Sequence, residues 1–163
     1  METLRTVAEL FTLIAAIIAL PTSIYNFFHG RAVEKENLKQ NKRILTINAF
    51  DYLQKEVLDP LILCSKKEVQ AVVDEKDDIE EQYERYQLFK TQVAKCEHFA
   101  VGINSGTYDY DLFYKLGGVH MKFLYEKLKP IIDEARVTNK SNTVPYSEFE
   151  ILYTKLLDTQ QGK

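Results

Sequence analysis

Between Leu10 and Phe28 the chain carries no charged side chain, and the centre of that run, Leu10-Phe-Thr-Leu-Ile-Ala-Ala-Ile-Ile-Ala-Leu20, is as apolar as a membrane span. A helix rises about 1.5 Å per residue, so about 20 residues cross a hydrocarbon core about 30 Å thick. Residues 8–28 meet that length. Pro21 is compatible with a span, because neighbouring helices and nearby hydroxyls such as Thr22 and Ser23 re-satisfy the backbone groups it frees. Tyr25, Phe27 and Phe28 stand at one end, where aromatic rings favour the interface. Only Arg5 is basic before the run, beside Glu2 and Glu9; after it come Arg31, Lys35, Lys39, Lys42 and Arg43 against Glu34 and Glu36. The excess of positive charge on the later side predicts an N-terminus outside and the rest in the cytoplasm, at the inner (plasma) membrane. A cleaved signal peptide fits poorly, since the start is mixed in charge and Leu20-Pro21 is a poor exit. A buried core helix in a soluble oligomer stays open, because Glu9 and Asn26 shorten the apolar stretch.

Beyond the run, the pattern is helical throughout. No segment sustains apolar–polar alternation, and glycine and proline are scarce at six and four. The expected fold is all-α: an N-terminal transmembrane helix followed by an antiparallel bundle of four to five helices. The expected divisions are an anchor at 1–30, a juxtamembrane stalk and first bundle helix at 31–58, and the remainder of the bundle at 59–163. A net charge of −3 without a basic stripe argues against nucleic acid. Cys64 and Cys96 lack the spacing of a zinc site or a disulfide framework.

Ile44, Ile47, Phe50, Leu53, Val57 and Leu61 recur at three or four and predict one buried face. Asp59-Pro60 reads as a cap and first position, giving a helix over about 60–74. The acidic run from Asp74 to Glu81 reads as a solvated turn rather than a calcium loop, with Asp78 and Glu81 in capping-box spacing. Tyr86, Phe89, Val93, Cys96, Ala100 and Ile103 form a heptad-like seam on a helix over about 79–103, ended by Asn104-Ser-Gly106. Asp109 caps a short aromatic helix that stops at Gly117-Gly118. Another helix covers about 119–136, with His120, Leu124, Leu128, Ile131 and Ala135 on one stripe and an interruption at Pro130. Pro145 opens a last helix with Tyr146, Phe149, Leu152 or Tyr153, and Leu156 inward.

The stretch Cys96-Glu-His-Phe-Ala-Val-Gly-Ile103, the glycine turn, the aromatic short helix, the helix ending at Arg136 and the Tyr146-Ser-Glu-Phe-Glu150 segment together resemble a known pattern. It is that of an uncharacterised bacterial family of small proteins with one N-terminal membrane helix and a helical cytoplasmic domain. The resemblance implies that architecture, with Glu97, Gly102, Arg136 and Glu150 as matching positions and no established activity.

Glu97 beside the seam needs a partner if it is buried, and Arg136 at a neighbouring helix end is suited to supply one. A structural pair Glu97–Arg136, joined by Glu150, is therefore expected rather than a catalytic base. Glu97-His98 and His120 with Glu126 miss the spacing of carboxylate–histidine metal sites, so no metal and no cofactor is expected. Tyr108, Tyr110, Phe113 and Tyr114 form a candidate interface, or alternatively a plug for the bundle end. No nucleophile or nucleotide-binding signature occurs, and no small-molecule substrate is evident. The expected function is a non-enzymatic, membrane-anchored interaction or regulatory module, with the lipid bilayer and a protein partner or a second copy as partners. The alternatives are an oligomerising membrane effector of the defence or toxin type and a soluble helical oligomer.

Overall fold

The computed structural model describes the backbone of residues 2–161, with side chains at Ala19, Tyr25, Asn26 and Phe28 to Thr159. Every regular element among them is helical: α1 (Glu2–Leu53), a π-helical turn (Gln54–Leu58), α2 (Asp59–Leu61), α3 (Lys66–Glu75), α4 (Glu80–Asn104), α5 (Tyr110–Thr138) and α6 (Ser147–Gln161). The chain forms two units, residues 1–41 and 42–163. No helix among the described residues is long and apolar enough to cross a membrane. The expected anchor falls largely on side chains outside the described residues. In the first unit Tyr25 and Phe28 are exposed, and the Tyr25 ring meets His29, one turn on, edge-first at 5.6 Å.

The second unit has one core, and the α4 seam runs through it: Tyr86, Phe89, Val93, Cys96, Ala100 and Ile103 are all buried. At its centre Phe99 and Phe113 meet edge to face at 5.2 Å, with Phe50 6.2 and 6.0 Å from them. Burying an aliphatic or aromatic side chain of this size contributes about 1.5–3 kcal/mol, so three rings from α1, α4 and α5 bind these helices firmly together. The Phe50 ring fills the space that a Cβ on Gly117 would need. There the backbone of α5 leaves helical geometry, which matches the stop expected at Gly117-Gly118.

Four local expectations need correction. Ile44 and Ile47 are exposed, and Thr46 is buried on that face of α1. Its Oγ1 donates to the Lys42 carbonyl at 2.7 Å and accepts from the Asp109 amide at 2.7 Å, so the polar residue satisfies the backbone where α1 meets the start of α5. The chain does not break at Asp59-Pro60. The π turn widens the helix just ahead of Pro60, which separates the proline ring from the carbonyl it would otherwise strike. The reversal follows at 62–65, and α3 starts at Ser65, whose side chain and that of Glu68 form a reciprocal capping box (2.6 and 3.2 Å). At α4 the cap is the extended Ile79 with no side-chain bond, because the Asp78 amide is drawn back to the Glu75 carbonyl at 3.1 Å. Finally, α5 keeps helical dihedrals through Pro130, which is buried.

Candidate functional site

The residues singled out for polar chemistry gather where α4, α5 and α6 meet, but with partners other than those expected. Glu97 does not reach for Arg136. Its two carboxylate oxygens accept from the amides of Glu148 and Phe149 at 3.1 and 2.7 Å, so it caps the N-terminus of α6 from a different helix. The reason is local: Tyr146 just before α6 has φ 60°, a left-handed conformation uncommon for a large side chain, and no residue of α6 itself caps those amides. Asn104, expected only to end α4, donates to the Glu148 carbonyl and carboxylate at 3.0 and 2.8 Å. Arg136 in the last turn of α5 donates from Nε to the Pro145 carbonyl at 3.2 Å and pairs with Glu150 at 2.8 Å. The turn before α6 is thus fixed from both sides.

This electrostatic arrangement is that of a clamp. The hydrogen bond from Arg136 holds the Glu150 carboxyl below its ordinary value. Burial, followed by the charge of Glu150, pushes the Tyr125 hydroxyl up to about 12. Tyr125 stacks on Tyr153 at 4.3 Å and meets Phe149 edge-on at 5.1 Å, and Tyr153 in turn donates to Glu126 at 3.1 Å. Cys96, one residue from Glu97, is fully buried with its thiol pushed up by that burial and then by the carboxylate charge. Such a thiol is a packing group rather than a nucleophile. His98 and His120 are both exposed and line different clefts.

The candidate interface at 108–114 belongs to the bundle. Phe113 is fully buried in the core, a correction to its place in an interface. Tyr108 is half-buried, packs its ring on the bare Cα of Gly102 and lies 5.5 Å from Phe99. Tyr110 stacks near Tyr114, its hydroxyl bonds Thr159 at 2.7 Å, and Lys155 sits 3.9 Å over its ring. Tyr108 thus packs on α4, Tyr110 on α6, and Phe113 between α1 and α4.

The surface instead opens elsewhere. A cleft of about 310 Å³ lies against the π turn, with Phe50, Leu61 and Leu124 inside and Gln54, Asp59, His120 and Lys127 as its polar groups. Lys127 donates to the Leu61 carbonyl at 2.7 Å, using its charge to close the end of α2. Exposed apolar side chains form part of its lining: Ile62, Leu116 and Phe123. Two departures from regular helix, the π turn and the break at Gly117, border the same cleft. A second cleft, of about 610 Å³, runs between α1 and α4 and is lined by Ala49, Leu53, Phe99 and Tyr108 with Tyr52, Lys95 and His98. Neither cleft follows from helical periodicity. The available signal was the unbroken apolar Leu61-Ile-Leu-Cys64 placed between two helices.

No curated protein and no solved structure matches the chain. A family profile described as "Domain of unknown function (DUF4760)" matches residues 6–156, which takes in α2 to α5, most of α1 and most of α6. On that match over nearly the whole length, the chain belongs to the DUF4760 family.

Proposed function

We propose that this protein is a membrane-tethered interaction module and not an enzyme, with residues 1–30 as the tether and the 42–163 unit on the cytoplasmic side of a bacterial inner membrane. The apolar, charge-free run at 10–28 and the basic residues 31–43 support the tether and its orientation. The observation that carries the interaction reading is the cleft beside the π turn. Its rim leaves Ile62, Leu116 and Phe123 in water, an apolar patch of the kind that marks a docking surface. The clamp at Glu97, Arg136 and Glu150 gives no support to catalysis, since both carboxylates are engaged in holding α6.

The test has two arms. Cells expressing the full chain are fractionated and the membranes washed with alkaline carbonate, alongside a chain lacking residues 1–29. The full chain stays in the pellet and the shortened one leaves it; a full chain that washes off overturns the tether. A photo-reactive residue at Phe123 forms protein adducts in cells, whereas one at Ile151, exposed on α6 away from this patch, forms none. Equal yields at the two positions overturn the docking surface.

A further inference from the structure

The segment that follows the apolar cleft carries exposed lysines, and another part of the chain complements them. Leaving the cleft, the exposed Ile62-Leu63 leads directly to Lys66 and Lys67, both exposed and without an ion pair among the described residues. With Lys127 in the cleft wall, the lysines at this end number three against the carboxylates of Asp59 and Glu68, and Glu68 is engaged in capping the Ser65 amide. At the other end of α3 lies the acidic run Asp74 to Glu81. Lys76 there is taken up by Asp77 and Glu134, each at 3.1 Å, but Asp78, Glu80 and Glu81 make no ion pair among the described residues. Two large apolar side chains stand exposed beside them: Ile79, and Tyr83 one turn on, whose amide bonds the Ile79 carbonyl at 3.0 Å. An apolar pair four residues apart, flanked by carboxylates, is the form in which a helix start presents anchors to an apolar groove with a basic rim.

We propose that the occupant of the cleft is a second copy of this chain, which inserts Ile79 and Tyr83 while its Asp78, Glu80 and Glu81 face Lys66 and Lys67. The two surfaces cannot meet within one copy, because α3, ten residues long, holds them about 15 Å apart. Each copy offers both knob and cleft, so the contact either closes as a two-fold pair in which each knob fills the other's cleft or propagates head to tail as a ring or open chain. This rests on the cleft being a docking surface and specifies its partner. Tethering confines copies to a plane and raises their effective concentration, which makes a modest contact sufficient.

The experiment follows the size of the full chain in detergent micelles by sedimentation, with charge reversals on exposed positions only. Lys66→Glu with Lys67→Glu, or Asp78→Lys with Glu81→Lys, each raises the apparent dissociation constant by about tenfold or more. The four reversals combined in one chain restore assembly, and so does mixing the two double variants. Raising the salt from 0.05 to 0.5 M weakens the wild-type assembly, as screening of exposed charges requires. An Ile79→Ser variant loses assembly without loss of helical signal. A chain that is monomeric at all concentrations overturns self-docking. So does an assembly indifferent to these reversals, or one that either double variant breaks but the mixture does not restore. If Lys66→Glu with Lys67→Glu instead abolishes binding to phosphatidylglycerol vesicles while assembly stays intact, the basic rim serves lipid and the proposal falls. The carbonate wash and the adducts at position 123 read the tether and the docking surface separately, so a failure here leaves both standing.

Discussion

At the scale of single residues, the half-buried Glu97 carboxylate serves the backbone. Glu97 accepts from two amides that no other group caps, so Glu97→Ala leaves both unpaired in a half-buried site. Loss of a cap and of these hydrogen bonds costs about 2 kcal/mol, a fall in Tm of roughly 5 °C for a chain of this size, read by the helical circular dichroism signal. Glu97→Gln keeps one oxygen as acceptor and recovers about half; equal losses for the two variants would mean the carboxylate is not the cap. Glu150 sets a pH dependence. Its folded-state value is lowered, chiefly by the Arg136 hydrogen bond, so its contribution is present above the ordinary carboxylate value of 4.5 and is lost as pH falls through the lower folded value. The Tm difference between wild type and Glu150→Gln should therefore be constant near neutrality and shrink below about pH 4.5. Glycines separate in the same way. A Cβ at Gly117 collides with the Phe50 ring, whereas Gly30 has open space around it. Gly117→Ala then destabilises by about 1–3 kcal/mol, and Gly30→Ala strengthens α1 by about 0.5–1 kcal/mol.

At the scale of elements, legibility in the sequence tracked how strictly one period held. The α4 seam repeats by three and four over five steps and every member is buried, because that helix is packed along its length by α3, α5 and α6. The stripe on α1 departs from the apolar pattern at its start. Thr46 carries the burial there for a hydrogen-bonding reason that an apolar pattern does not register, and Ile44 and Ile47 are left in water. Caps show the same division. Asp109 was legible, and it accepts from the Leu112 amide at 3.0 Å. Two Ser/Asp-x-x-Glu spacings flank α3, Ser65 with Glu68 and Asp78 with Glu81, and only the first forms a box. Spacing alone cannot tell them apart, since what decides is whether the preceding residue is extended or held in the previous helix's last turn. Ser65→Ala should cost about 1 kcal/mol, and Asp78→Ala should leave the denaturant midpoint unchanged. A loss for Asp78→Ala equal to that for Ser65→Ala would return the cap of α4 to Asp78.

At the scale of the whole molecule, the sequence told which polar residues congregate but not what they do together. Glu97, Arg136 and Glu150 all fall at the α4–α5–α6 junction, yet the bond between Glu97 and α6 depends on the left-handed turn at Tyr146, which no composition rule marks. The clefts were illegible for a related reason: they arise where helices stop being regular. What unites the 42–163 unit is its single core, and the two thiols report on it without any added label. Cys64 is half-buried near the 62–65 turn, while Cys96 is fully buried at the middle of the seam with its thiol pushed up. A thiol reagent near neutral pH should modify Cys64 promptly. In a Cys64→Ser chain it should modify Cys96 only through opening of the core, because burial both blocks access and suppresses the thiolate. If the core opens as one cooperative body, the free energy of that opening, measured against urea, has the same slope as unfolding followed by helical signal. A markedly shallower slope would mean that α4 is released by a local opening, with α6 the first element to leave, since its start depends on the same Glu97 that lies next to the buried thiol.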